Sequence, residues 1–183
     1  MIYLVTGSIS KFENAKKRLS PYGIEIEMKK VNLIEPQEDS IMKVAEYKIR
    51  QAFQPLNESV LITDTGWSIP ALNGFPGPYM HYISDWFTLE DWINLLSTKN
   101  EDVVFLENVA VYKDSNLTKV FISRRKGSLL KEPRGEGLPI DRIATFREDR
   151  KTIAECNKLG IDSFDNNQDA SIWTQFGQWY ISK

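Results

Sequence analysis

The sequence predicts a mixed α/β fold, and three observations carry that prediction. "IYLVTG", residues 2–7, is a short β-branched and aromatic run that ends in Thr-Gly and opens at once into a helix-like stretch. After it, apolar runs of strand length alternate with helical segments. Finally, "DVVFLENVAVYKD" and "LTKVFISRRKG" flank "DSN" as two long strands of an antiparallel hairpin, expected to build a second lobe.

Taken in order, the first strand leads into a helix that Ser8 or Ser10 can cap and that "KFENAKKRLS" carries to Pro21. "IEIEMKKV" alternates apolar and charged residues, as a strand with one exposed face does. "SIMKVAEYKIRQAF" sets Ile41, Val44, Ala45, Ile49, Ala52 and Phe53 on one helical face, with Pro55 as the stop. "SVLIT" reads as a buried strand with Asp64 just past its end. The following "DTGWSIPALNGFPGPYM" holds three of the eight prolines and three of the ten glycines, and reads as a stiff loop. "LEDWINLLS" is a short amphipathic helix, residues 129–143 a loop around "EPRGEGLP", and "DNNQDASIWTQFGQWYISK" a helix starting at its Asp/Asn cluster. With no repeats, low-complexity tracts or linker, residues 1–183 are expected to form one domain of two lobes.

Composition narrows the function. The 183 residues are 42% hydrophobic and 26% charged, ordinary for a folded domain. Lys and Arg total 23 against 25 Asp and Glu, a net charge of −2 that argues against binding nucleic-acid polymers through the backbone. Cys156 is the only cysteine, so no intrachain disulfide can form. Neither a leader-type opening nor an apolar run of spanning length is present, so the expectation is a soluble, cytoplasmic protein with no membrane partner.

Four places could carry chemistry. "VTGSISK" sets Thr6, Gly7 and Ser8 at a strand-to-helix junction, with Lys11 about one turn into the helix. Free N–H groups and the positive helix end suit a phosphate there, although the P-loop pattern is absent. Asp64 falls where ligands gather in open α/β sheets. Read singly, Asp64 is a turn aspartate, Glu35 a solvated loop residue and Lys48 plain helix surface. Together, Lys11 and Lys48 supply charge for phosphates, and Glu35 and Asp64 the carboxylates for Mg²⁺. One cysteine and one histidine do not suit zinc. His81 has no neighbouring partner in the sequence, and Cys156 lacks an activating motif.

In this order the motifs resemble the inosine triphosphate pyrophosphatase family, which removes non-standard purine nucleoside triphosphates, over roughly Ile2 to Glu155. "VTGSISK" is similar to the family's Thr-Gly-Asn-x-x-Lys loop, "IEPQ" to its Glu-x-Gln metal segment, and "VAEYKIRQA" to the helix with the phosphate-contacting lysine, here Lys48. "ITDTGWSIPALNGFPGPYM" is similar to its longest motif, and "EPRGEG" and "TIAE" to two later segments. The resemblance implies an elongated α/β fold, a central mixed sheet flanked by helices and a cleft between two lobes, assembled as a homodimer. It implies Mg²⁺-dependent hydrolysis of a nucleoside triphosphate to monophosphate and pyrophosphate. Asp64 would bind metal or act as general base and Glu35 would bind metal. Thr6, Gly7, Ser8, Lys11, Lys48 and Thr65 would hold phosphates.

The departures are concentrated. Ser8 replaces the loop asparagine, and Thr63 the acidic residue usually before the central aspartate. The base-recognition segment, usually Phe-Gly-Trp/Tyr-Asp-Pro, reads Leu138, Pro139, Ile140, Asp141, which puts an aliphatic side chain where an aromatic would stack. Of the closing Lys-Asn-x-x-Ser-His-Arg only Lys158 and Ser163 have counterparts. The expectation is a nucleotide pyrophosphatase with altered base choice; the alternatives are a non-catalytic nucleotide-binding module of the same fold and a Maf-like phosphatase for modified pyrimidine nucleotides.

Overall fold

The apolar run at the start pairs as β1 (Ile2–Val5), and α1 (Ile9–Leu19) succeeds it, capped by Ser8, whose Oγ accepts from the Lys11 N–H at 3.2 Å. The structure is a computed structural model and describes residues 1–164 and 171–183. A 3₁₀ turn at Ser20–Tyr22 leads to β2 (Ile26–Lys29) and α2 (Ile41–Leu56). The helix does not stop before Pro55, as expected, but includes it in its last turn and ends at Asn57 in the left-handed region. β3 (Val60–Ser68), β4 (Pro76–Gly77), α3 (Met80–Trp86) and α4 (Leu89–Ser97) come next. β5 (Val103–Lys113), β6 (Thr118–Leu129), β7 (Ala144–Thr145), α5 (Ile153–Leu159) and α6 (Ile172–Ile181) complete the order. The helix expected to start at Asp165 begins, within the described residues, as α6; Asp165–Ala170 lie outside them.

The chain divides into two compact units. The first comprises Met1–Thr65, Asn108–Ser123 and Asp169–Lys183; the second comprises Gly66–Glu107 and Arg124–Gln168. The hairpin therefore does not build a second lobe by itself: its tip and middle belong to the first unit, its open end to the second. The turn at its tip is an Asx type, in which Asp114 Oδ1 accepts from the Asn116 and Leu117 amides at 2.8 and 2.9 Å.

In the first unit the sheet order is β2-β1-β3-β5-β6, with β1 parallel to both neighbours. Strand alternation sorts its side chains onto two faces. Leu4, Leu61, Ala110 and Tyr112 pack with Ala15 and Leu19 of α1 and Trp173 and Phe176 of α6. Val5, Val60, Ile62, Val109 and Val111 pack with Ile41, Ala45, Ile49 and Ala52 of α2. The face expected of α2 is thus the one buried, with Phe53 partly covered. The product is a helix–sheet–helix sandwich, a mixed sheet with helices on both sides.

In the second unit, β4 pairs antiparallel with Trp67 and Ser68 of β3, and β7 with the end of β6. Trp67, Ile69, Met80, Ile83, Trp92, Leu129, Ile140 and Ile143 belong to one core. α4 has the predicted bounds and a Thr88–Asp91 capping box. The "stiff loop" is less irregular than expected. Its start extends β3, a 3₁₀ turn forms at Pro70–Leu72, and its last residue opens α3. Positive φ at Gly74 (90°) and Gly77 (60°) explains the glycines there.

Candidate active site

The phosphate-type residues and the carboxylates all lie in the first unit. Thr6 comes directly after β1, and its N–H donates to the Lys29 carbonyl at 3.0 Å while its hydroxyl accepts from the Ser8 N–H at 3.1 Å. Thr6 is therefore a turn-maker for the loop. A Cβ at Gly7 would meet nothing within 4 Å beyond its chain neighbours, so packing does not demand glycine there and the space beside it is open. Ser8 spends its hydroxyl on capping α1, whereas the Ile9 and Ser10 amides have no partner among the described residues. Such amides at a helix start are an anion site in waiting.

Asp64 is not past the end of its own strand, because β3 runs on to Ser68 where β4 pairs with it. It lies instead past the end of the neighbour. β1 and β3 pair Tyr3 with Val60 and Leu4 with Leu61, and that register continued by three residues sets Asp64 level with Gly7. The parallel sheet thereby brings the carboxylate level with the Thr6–Ser8 loop. Asp64 Oδ1 accepts from the Thr65 N–H at 3.0 Å, and the Thr65 hydroxyl donates to Asn108 Oδ1 at 3.0 Å. Asn108 escaped the sequence reading. Its only signal was "EN" within the apolar run of β5.

Lys48 joins the acidic residues. Its Nζ donates to Glu35 Oε1 at 2.6 Å and to Asp64 Oδ2 at 3.2 Å. The side chains of Lys48 and Asp64 are mostly covered, whereas that of Glu35 is 46% exposed. Burial pulls the Lys48 pKa down, but the Asp64 charge and the hydrogen bonds to Glu35 and Asp64 outweigh it, leaving it raised. Lys11 shows the opposite balance. Desolvation lowers its pKa, the Asp64 and Glu35 charges offset this only in part, and the Lys48 charge lowers it further. Its residue surface still reaches water, and its ammonium has no hydrogen bond or ion pair among the described residues. An unpaired ammonium on the first turn of α1 and two open amides at its start are groups to which an anion can bind.

Among the described residues no group of three or more His, Cys, Asp or Glu could hold a metal. Glu35 and Asp64 instead converge on one ammonium, the arrangement two carboxylates also give a divalent cation. Mg²⁺ takes one or two carboxylates and completes its shell with water and phosphate oxygens, so this pair fits it.

The base-segment residues lie in the second unit. Leu138 is 52% exposed, Pro139 half-buried, and Ile140 buried in that unit's core at 2%. The Ile140 side chain therefore packs in that core. Asp141 lies in the 3₁₀ turn Ile140–Arg142 with no hydrogen bond or ion pair among the described residues, and desolvation pushes its carboxyl up to about 6. Lys158 is exposed in the last turn of α5. Thr152 caps α5 in a box with Glu155, and its hydroxyl reaches the Arg134 carbonyl at 3.1 Å, which ties "TIAE" to "EPRGEG". His81 is exposed, its ring 5.5 Å from that of Tyr82. Cys156 is buried, and burial raises its thiol pKa, as an inert cysteine requires. No helix among the described residues is long and apolar enough to cross a membrane.

Comparison with known proteins agrees with the motifs. The chain is 32% identical over 182 residues to a dITP/XTP pyrophosphatase of Methanopyrus kandleri, covering 98% of this chain and 95% of that one. It is 30% identical over 184 residues to a dITP/XTP pyrophosphatase of Methanosarcina acetivorans, covering 100% and 98%. A solved HAM1 protein from Coxiella burnetii superposes with a TM-score of 0.81 at 19% identity, covering 100% and 98%, a likeness of fold. The model of the Ham1 family matches residues 2–166, and the chain belongs to that family.

Proposed function

We propose that the protein is a Mg²⁺-dependent nucleoside triphosphate pyrophosphatase that converts non-standard or modified (deoxy)nucleoside triphosphates to the monophosphate and pyrophosphate. The observation that carries this reading is the Lys48 ammonium held between Glu35 and Asp64, with Lys11 unpaired nearby. The names of the relatives that align over nearly the whole chain support it.

In the proposed reaction, water attacks the α-phosphorus, a new P–O bond forms, and the α,β-bridging bond breaks with its electron pair leaving on pyrophosphate. Asp64 takes the water proton. Lys11, Lys48 and the first-turn amides of α1 hold the phosphates in line, so positioning and electrostatics supply most of the acceleration. Asn108 anchors the Thr65 hydroxyl, and the Thr65 amide orients the Asp64 carboxylate. Mg²⁺, held by Glu35 and Asp64 when bound, supplies neutralisation of phosphate charge.

Base choice is altered in this reading. Leu138 offers no ring for stacking, a contact worth roughly 1–3 kcal/mol per base. The protein would act in the cytoplasm on free nucleotides, as a homodimer. The side chains Tyr82 (46% exposed) and Trp86 (69%) on α3, rings 5.7 Å apart, offer an apolar face for a second copy. A monomeric mass by light scattering at micromolar concentrations would remove the homodimer. For the activity, the test is pyrophosphate release with Mg²⁺ across inosine, xanthosine, modified purine and pyrimidine triphosphates. Turnover of at least one is expected, lost in Asp64→Asn. Calorimetric binding without any product would favour the non-catalytic nucleotide-binding module.

A further inference from the structure

The segment between β2 and α2 carries Glu35 yet has little of its own to hold it. Residues 30–40 form no helix or strand, and Ile34 is 68% exposed. Among the described residues, the only hydrogen bonds to the backbone of residues 31–39 are at Ile34, and both come from one side chain. Gln51 Oε1 accepts from the Ile34 N–H at 3.0 Å, and Gln51 Nε2 donates to the Ile34 carbonyl at 2.8 Å. The carboxamide thus brackets one peptide as a neighbouring strand would, using its donor and its acceptor together.

Gln51 lies three residues beyond Lys48 on α2, so the two side chains share a face of the helix. One grips the Ile34 peptide; the other takes the carboxylate of the next residue at 2.6 Å. An ion pair to a half-exposed glutamate holds it only loosely, because the glutamate keeps much of its contact with water and its long side chain must still be ordered. The double hydrogen bond fixes the backbone from which Glu35 projects and leaves the ion pair only the side chain to place.

We propose that Gln51 is a positioning residue for the site: by clamping the Ile34 peptide to α2 it presets the Glu35 carboxylate against Lys48 before a divalent cation binds. The inference rests on reading Glu35 as a metal residue. Both polar atoms of the Gln51 carboxamide bond the Ile34 peptide, so it acts through the loop. A clamp that only supported the fold would change stability and leave cation affinity untouched.

The test uses Gln51→Met, which keeps side-chain length and helix propensity and deletes both hydrogen bonds. Hydrogen exchange at the Ile34 amide and titration with Mn²⁺, monitored by its free-ion resonance, are read in parallel. Faster Ile34 exchange and a Mn²⁺ Kd weakened about tenfold are expected, in line with the loss of groups that orient metal ligands. The thermal midpoint should stay near that of the wild type. Glu35→Gln is the control for the underlying reading: unchanged Mn²⁺ affinity in that variant refutes Glu35 as a metal residue. With Glu35→Gln weakened, wild-type Mn²⁺ affinity in Gln51→Met refutes Gln51 as its positioner.

Discussion

Lys48 Nζ stands 3.2 Å from Asp64 Oδ2, linking α2 to β3 across sixteen residues of sequence. The same ammonium holds Glu35, so one cation joins a loop, a helix and a strand where the parallel sheet brings up the Thr6–Ser8 loop. The candidate site is thus already assembled around an internal positive charge.

Lys48→Met removes that charge and leaves two carboxylates facing each other. Without divalent cation the variant is expected to lose about 1–2 kcal/mol, because partly covered Asp64 forfeits its partner. Mg²⁺ should stabilise it more than it stabilises the wild type. Thermal unfolding with and without Mg²⁺ checks this, and an equal Mg²⁺ increment in both proteins contradicts it.

Asp64→Asn keeps an oxygen for the Thr65 N–H and removes the charge and the proton acceptor. Pyrophosphate release is expected to fall at least ~10³-fold, combining loss of general base and of charge stabilisation. Steady-state kinetics at saturating Mg²⁺ measures it. Activity within tenfold of wild type would remove Asp64 from the chemistry.

Gly7→Ala tests the open space beside the Thr6–Ser8 loop. Beyond its two chain neighbours, an added methyl meets no protein atom within 4 Å, so folding should be nearly unchanged. If that space belongs to a phosphate, KM rises about tenfold, equivalent to about 1.4 kcal/mol of binding. Chemical denaturation and kinetics on the same sample separate the two effects.

Burial raises the Asp141 carboxyl from 3.8 to about 6. The folded state then holds the proton more tightly than the unfolded chain. The stabilisation is present in full below about pH 3.8 and is lost as pH rises through about 6. Asp141→Asn removes this titration. It is expected to be more stable than wild type at pH 7 by about 1–2 kcal/mol, after discounting for partial exposure, with the advantage vanishing near pH 4. Urea unfolding at both pH values decides it.

Local pattern alone determined much of this protein. The β-branched run before Thr-Gly, the α2 stripe of Ile41, Val44, Ala45, Ile49 and Ala52, the α4 bounds and the hairpin turn at Asp114 all follow from periodicity, capping and turn chemistry. These act between residues near in sequence and are therefore legible there. The motifs likewise named Lys11, Glu35, Lys48 and Asp64 as a set.

Tertiary structure decided what depends on distant partners. β3 outran its predicted end because β4 pairs with Trp67 and Ser68, and the hairpin was divided between two units by its contacts rather than by its turn. Ile140 went to a core that its own segment did not reveal. Asn108 and Gln51 look like ordinary polar residues until the fold sets Thr65 and the Ile34 peptide against them. A hydrogen bond needs its two groups within about 3 Å, and only the folded chain brings residues so far apart in sequence to that distance.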